Sequence, residues 1–245
     1  MGITMRRIVM LGGCLAIAAA LSACGGDKKE ENANANFSVK LNWLGSYKTG
    51  ILDESAAEIP AYDAASQRLF VVNAEAGELD VLDMSDPAAP VKIDSINVSV
   101  IAAGAEVNSV AVQNGLVAIA VEADPKTDNG YVALYQAADL SLVNSIQVGA
   151  QPDMITFTPN GETVMTANEG EPSDDYSVDP EGSISLVDIR DLENLSVATA
   201  DFTAFNAQAD SLKASGVRIY GPNASVARIW SRNTLRYLPT ARQHG

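Results

Sequence analysis

Short apolar runs separated by turn residues recur along the chain from residue 37 onward. Three of these runs align with one another: 69–76, 116–123 and 163–170. Each contains a glutamate near its end, and Glu75, Glu122 and Glu169 are spaced 47 residues apart. Self-similarity at a fixed period of this size indicates a repeat architecture, in which one supersecondary unit recurs along the chain.

Each repeat predicts four short strands. The aligned apolar run is the second strand, a shorter strand precedes it across a turn, and two strands rich in Val and Ile follow. The predicted first, third and fourth strands are 59–62, 79–82 and 91–96 in the first repeat, 107–112, 132–135 and 142–148 in the second, and 154–157, 184–187 and 195–200 in the third. Four such strands are typical of a β-propeller blade. A β-sandwich with evenly spaced strands is the alternative.

The fold class predicted by this pattern is all-β, with β-propeller blades of 47 residues. Residues 37–227 hold about four repeats, and the last repeat is cut short. Propellers close with roughly four to eight blades. We therefore expect a partial propeller whose ring stays incomplete in this chain.

The first residues predict export and lipid anchoring. Residues 1–23 combine a basic start, an apolar run over 8–21 and small residues directly before Cys24. The run is shorter than the roughly 20 residues that span a bilayer, so it has the form of a signal peptide. Leu-Ser-Ala-Cys resembles a bacterial lipobox, which predicts a lipid on Cys24. A soluble export signal cut after Ala23 is the alternative.

The segment after the cysteine predicts a tether and a location. Residues 24–36 contain no large apolar side chain, so we expect a flexible tether between the lipid and the domain. Two or three acyl chains would anchor the protein stably to a membrane. Gly25 after the cysteine resembles signals sorted to an outer membrane or cell surface rather than kept at the inner membrane.

Charge and composition exclude several functions. The chain has 31 Asp and Glu against 16 Lys and Arg, a net charge of -15. Nucleic-acid binding needs clustered cationic side chains, so divalent cations are the expected partners instead. The sequence holds one His and two Cys, and Cys14 lies in the predicted signal peptide. Ser-His-Asp catalysis, Cys-His catalysis and a zinc site therefore lack their usual residues.

The last residues differ from the rest of the chain. Residues 228–245 contain four arginines and His244 but no acidic residue, whereas the preceding repeats are acidic. We expect this segment to be a tail foreign to the repeat, produced by a frameshift. A basic C-terminal arm is the alternative.

Acidic residues are expected to gather at one rim of the blades. Antiparallel pairing brings the start of each first strand to the end of each second strand, where Glu75, Glu122 and Glu169 lie. The loop that follows the third of these is long and acidic. The predicted metal ligands are Glu75, Glu122, Glu169, Glu171, Asp174, Asp175, Asp179 and Glu181. Oxygen ligands favour Ca²⁺ or Mg²⁺, and a solvated acidic loop is the alternative.

Several motifs resemble the choice-of-anchor I family. They include Glu-Ile-Pro-Ala-Tyr-Asp at 58–63, Val-Glu-Ala-Asp-Pro-Lys-Thr at 121–127 and Ala-Asn-Glu-Gly-Glu-Pro at 167–172. The resemblance covers about residues 41–227 and implies a surface-anchored propeller that handles calcium or phosphate. Some bacterial relatives are called alkaline phosphatases, and family members are longer than this chain.

The expected function combines these inferences. We expect a lipid-anchored, extracytoplasmic β-propeller module that binds divalent cations through an acidic rim and serves in surface interactions. The alternative is a calcium-dependent phosphoesterase that acts through metal ions held by carboxylates, with metal-bound water as the nucleophile.

Overall fold

The computed structural model describes residues 39–217. The predicted signal peptide, Cys24, the tether and the segment 228–245 lie outside these residues. The chain divides into two units, Met1–Asn42 and Trp43–Gly245, and residues 39–42 of the first are exposed and without regular structure. Within the described residues, no helix has the length and apolarity needed to cross a membrane.

Twelve strands form three separate four-stranded sheets in the second unit. Sheet 1 contains β1 (Pro60–Asp63), β2 (Arg68–Asn73), β3 (Glu78–Asp83) and β4 (Val91–Ile96); sheet 2 contains β5 (Glu106–Gln113), β6 (Leu116–Glu122), β7 (Asn129–Gln136) and β8 (Leu142–Ala150); sheet 3 contains β9 (Pro152–Phe157), β10 (Thr163–Asn168), β11 (Ser183–Asp188) and β12 (Ser196–Asp201). Each sheet is an antiparallel meander in chain order. The prediction of an all-β chain is confirmed.

Few elements lie outside the sheets. A 3-10 turn, Val98–Val100, connects sheet 1 to sheet 2. A second 3-10 turn, Thr203–Gln208, and the short helix α1, Ala209–Ala214, follow the last strand. The described residues therefore contain three complete four-stranded units.

Turn chemistry fixes the hairpin between β5 and β6. Gln113 pairs with Leu116, so only Asn114 and Gly115 form the connection. Both have positive φ, at 53° and 76°. A two-residue hairpin turn of this kind requires such backbone angles at both positions, and Asn-Gly is the pair that adopts them most readily.

Sheet 2 lies between the other two sheets and is buried on both faces. One face, which includes Val117, Ile119 and Val121, packs against Phe70 and Val72 of sheet 1. The opposite face packs against sheet 3. Its members are Ala118, Ala120, Val132 and Leu134, and their partners in sheet 3 include Ile155, Val164 and Val187. Because both faces are covered, β6 is a continuous apolar run rather than an alternating one.

The facing of the side chains departs from the 47-residue period at sheet 1. Phe70 of sheet 1 faces the next sheet, sheet 2. In sheet 2, the residue that faces the next sheet is Ala118, which lies 48 and not 47 positions after Phe70. Val117 and Val164 point back towards the preceding sheet and are 47 positions apart. A shift of one residue turns every side chain of a strand to the opposite face. The equal spacing of the glutamates therefore conceals a one-residue offset between sheets 1 and 2.

Candidate functional site

The rim of sheet 2 brings two glutamates face to face. Glu106 begins β5, Glu122 ends β6, and the two residues are direct partners across the strands. Glu122 is half-buried, and this burial is the main cause that raises the pKa of its carboxyl group. The Asn108 side-chain amide donates a hydrogen bond of 2.9 Å to Glu122 Oε2 and opposes the shift, whereas the charge of Glu106 adds to it. The chain holds a partly desolvated pair of like charges here.

Glu122→Gln is expected to stabilise the protein at neutral pH. Glutamine resembles the protonated acid, keeps an oxygen for Asn108 and removes a repulsion that costs about 0.2–1 kcal/mol between opposed like charges. Folding raises the pKa of Glu122, so the protonated side chain favours the folded state. This contribution to the free energy of unfolding is fully present below the unfolded-state pKa of about 4.3, and it is lost as the pH rises through the folded-state pKa. Urea denaturation should therefore separate the variant from wild type at pH 7 but not at acidic pH. Glu193→Gln, at an exposed position, is the control, and a less stable Glu122→Gln at pH 7 would contradict the argument.

A lysine links the rims of sheets 2 and 3. Lys126 lies in the loop between β6 and β7, and its Nζ is 2.9 Å from Glu171 Oε2 in the loop between β10 and β11. The hydrogen bond to Glu171 is the main cause that raises the pKa of Lys126, and the charges of Glu122 and Asp174 contribute further. Lys126 lies in the family-like motif at 121–127, and nothing in that motif indicates its partner. The structure shows that an internal ammonium group neutralises part of this acidic rim.

The acidic loop folds back on its own start. Gly170 has a positive φ of 60°, and a Cβ on it would lie 2.9 Å from the main chain of Pro180 and Glu181. The N–H of Glu169 donates to the carbonyl of Gln151 at 2.7 Å, and the N–H of Gly170 donates to the carbonyl of Ala150 at 3.1 Å. The two ends of the loop therefore meet beside the connection between β8 and β9.

Asp175 is occupied by hydrogen bonds within the loop. Its Oδ1 accepts from the hydroxyl groups of Ser173 and Ser177, both at 2.7 Å, and from the N–H of Ser177 at 2.9 Å. These donors lower the pKa of Asp175 to about 2, with the Ser177 N–H first among them. Asp175 thus shapes the turn at the tip of the loop.

Asp179 has the opposite environment in the same loop. Both of its carboxylate oxygens are buried, and neither has a hydrogen-bond partner. Among the described residues, six buried side-chain atoms lack a partner, and four of them belong to this loop or to the strand that precedes it. They are Thr166 Oγ1, Asn168 Oδ1, Asp179 Oδ1 and Asp179 Oδ2. All four are oxygens, the element that Ca²⁺ and Mg²⁺ prefer.

The other predicted ligands are dispersed. Glu75 is exposed and lies beyond the end of β2, whereas Glu122 is the last residue of β6. Glu75 and Glu122 therefore do not occupy equivalent positions, because sheet 1 is offset by one residue. Glu181 accepts a hydrogen bond of 3.2 Å from Asn206, and Asp174 is exposed. Within residues 39–217, no three Asp, Glu, His or Cys side chains are grouped closely enough to hold a metal ion.

Three consecutive four-stranded meanders with an acidic rim define a repeat-built protein of the β-propeller-like class. The chain belongs to the choice-of-anchor I family, because the model of the choice-of-anchor I domain matches residues 58–236. This match confirms the resemblance carried by the motifs. Choice-of-anchor domains are typical of exported and cell-surface proteins, so the chain is a surface-associated module.

Solved structures with a similar arrangement are larger than this chain. A 6-phosphogluconolactonase-like protein of Bacteroides fragilis NCTC 9343 is 16% identical, with 69% of this chain and 46% of that chain covered and a TM-score of 0.48. Saccharomyces cerevisiae Sqt1 is 9% identical, with 61% and 37% covered and a TM-score of 0.44. Kuenenia stuttgartiensis hydrazine synthase is 18% identical, with 58% and 37% covered and a TM-score of 0.43. The chain thus spans less than half the length of each, and no curated protein matches it.

Proposed function

We propose that this surface module binds a divalent cation, Ca²⁺ or Mg²⁺, in the loop over residues 169–182. The observation that carries the proposal is Asp179, whose two carboxylate oxygens are buried without a hydrogen-bond partner. A buried carboxylate that nothing compensates costs several kcal/mol. A cation bound at Asp179 would remove that cost, and it would explain why the loop directs this side chain inward.

The residues present fit such an ion. Ca²⁺ takes 6–8 oxygen ligands from carboxylates, main-chain carbonyls, side-chain amides and water, and Mg²⁺ keeps several of its waters. One buried carboxylate can therefore be the central protein ligand of a site whose other ligands are neutral. Unpartnered buried oxygens on Thr166 and Asn168, in the strand that leads into the loop, are neutral groups of the kind such a site uses.

Calcium titration of the chelator-treated protein tests the proposal. Isothermal titration calorimetry should detect one site in the wild type, and Asp179→Asn should weaken it at least about tenfold, because a neutral amide replaces the charged ligand. A calcium concentration of about 100 times the dissociation constant should stabilise the wild type by about 2.7 kcal/mol. The control Asp191→Asn removes an exposed carboxylate outside the loop and should bind as wild type does. A wild type that binds neither Ca²⁺ nor Mg²⁺, or an Asp179→Asn variant with unchanged affinity, would overturn the proposal.

We also propose that a lipid on Cys24 anchors the module at an outer membrane or cell surface. The support is the order of basic start, apolar run, small residues and cysteine, together with the surface association of the family. Radiolabelled fatty acid should be incorporated into the wild type and lost in Cys24→Ser. Labelling of both proteins would exclude Cys24 as the anchor.

We infer that the three sheets are successive blades of a propeller that continues beyond the described residues. Sheet 3 covers one face of sheet 2. The corresponding face of sheet 3 is apolar and partly exposed, and it contains Met165, Ala167, Ile184 and Leu186. A further blade packed on this face would bury it. A crystal structure should show equal rotations from sheet to sheet, and unequal rotations would contradict this arrangement.

A further inference from the structure

We propose that Glu171 is a positioning residue for the cation site rather than one of its ligands, and that its ion pair with Lys126 holds the 169–182 loop in the cation-binding form. This inference rests on the proposed function. Lys126 and Glu171 would then act together, although they lie in separate sequence motifs, at 121–127 and 167–172.

Glu171 is held by contacts with Gln151 and Lys126. Its main-chain N–H donates to Gln151 Oε1 at 2.9 Å. Its Oε2 accepts from Lys126 Nζ at 2.9 Å and from Gln151 Nε2 at 3.3 Å. An oxygen that already accepts two hydrogen bonds, one of them from a cationic donor, is poorly placed to coordinate a metal ion.

The groups that hold Glu171 come from sheet 2 and from its connection to sheet 3. Gln151 is the single residue between β8 and β9, and thus joins sheet 2 to sheet 3. Lys126 lies in a loop of sheet 2, 45 positions before Glu171. The Lys126–Glu171 pair therefore ties the start of the acidic loop to the neighbouring sheet. Asp179 lies further along that same loop, so its position depends on how the start is held.

The pair is better suited to positioning than to global stability. The side chains of Lys126 and Glu171 are 37% and 34% exposed. Ion pairs at this exposure contribute little to the stability of a fold, because water screens them. The ion pair can still orient the loop, because a charged donor and acceptor held 2.9 Å apart favour one position of the loop over others.

A charge exchange distinguishes positioning from coordination. Lys126→Glu and Glu171→Lys each place two like charges together, and we expect each to weaken calcium binding at least about tenfold in calorimetry. The double variant restores an ion pair of reversed polarity and the wild-type net charge, so its affinity should be higher than that of either single variant. Recovery is expected to be partial, because Glu122 and Asp174 repel a carboxylate at position 126. A lysine at position 171 cannot bind a cation. Recovery would therefore show that the carboxylate of Glu171 is not a ligand.

Two outcomes would overturn the inference. A double variant as weak as Glu171→Lys alone would show that an ion pair between positions 126 and 171 does not restore the site. Single variants with wild-type affinity would show that the ion pair does not position the site. The control is the same exchange in Asp188 and Arg190, an exposed pair at the opposite end of sheet 3, which should leave calcium affinity unchanged.

Hydrogen exchange without metal separates this inference from the proposed function. The amides of residues 169–182 should exchange faster in each single variant and return to the wild-type rate in the double variant. If the wild type binds no cation, the proposed function fails, and the exchange rates still test the ion pair. Equal rates in the wild type and both single variants would then overturn the role of Lys126 and Glu171 in holding the loop.

Discussion

Asp80→Ala is expected to lower the free energy of unfolding by about 2–3 kcal/mol, because it removes the centre of a buried polar network. Asp80 is 4% exposed. Its oxygens accept hydrogen bonds from Lys92 Nζ at 2.7 Å, Asn73 Nδ2 at 3.3 Å and Ser95 Oγ at 3.3 Å. Alanine leaves the buried amide of Asn73 without this partner, whereas the partly exposed ammonium of Lys92 can turn towards water.

Urea denaturation followed by circular dichroism measures this loss. Asp80→Asn keeps an acceptor for its neighbours and should lose less stability than Asp80→Ala. Asp94→Ala, an exposed position on the adjacent strand β4, is the matched control and should stay within about 0.5 kcal/mol of wild type. An Asp80→Ala variant as stable as Asp94→Ala would show that the network does not stabilise sheet 1.

Gly130→Ala is expected to have a comparable or larger effect, with a loss of about 3 kcal/mol or failure to fold. A Cβ at this position would lie 2.4 Å from the carbonyl oxygen of Val121 and 2.4 Å from Cδ of Pro152. The first atom belongs to the main chain of β6 and the second to the start of β9, so neither can move without displacing a strand. Gly130 also lies where the pairing of β7 with β8 shifts register, a place where glycine is favoured.

The thermal midpoint and the yield of soluble protein measure the effect of Gly130→Ala. Asn129→Ala changes the neighbouring exposed residue and should leave the midpoint within a few degrees of wild type. A Gly130→Ala variant with the midpoint of Asn129→Ala would show that sheets 2 and 3 can separate at this contact without cost.

The sequence alone was sufficient to predict the strands and their order. Apolar runs, period-two alternation and turn residues such as Asn114 and Gly115 depend only on neighbours along the chain. For that reason they can be recognised before the fold is known. The family could likewise be predicted from local motifs, and the family match over residues 58–236 confirms it.

The equivalence of the three glutamates could not be decided from spacing. Glu75 and Glu122 align at a constant period, but Phe70 and Ala118 show that sheet 1 is displaced by one residue against sheet 2. A single-residue offset changes the period very little, whereas it reverses the face on which a side chain lies. Only the packing of one sheet on the next reveals it.

The different roles of the acidic loop residues also depend on the tertiary structure. Asp175 and Asp179 are the same residue type, four positions apart, and the sequence predicted both as metal ligands. In the fold, Asp175 accepts three hydrogen bonds near solvent, whereas the oxygens of Asp179 are buried without a partner. Glu171 is paired with Lys126, which lies 45 positions away.

The sequence by itself determined that this protein is an acidic, repeat-built all-β chain, because those properties follow from local pattern and composition. Its motifs resemble the choice-of-anchor I family, and the family match confirms that resemblance. The tertiary structure decided which carboxylates are desolvated, which are neutralised by a lysine and which face water. Desolvation and ion pairing depend on groups brought together from distant parts of the chain. Pattern and spacing along the chain therefore identify the candidates, and the fold separates Asp179 from the others.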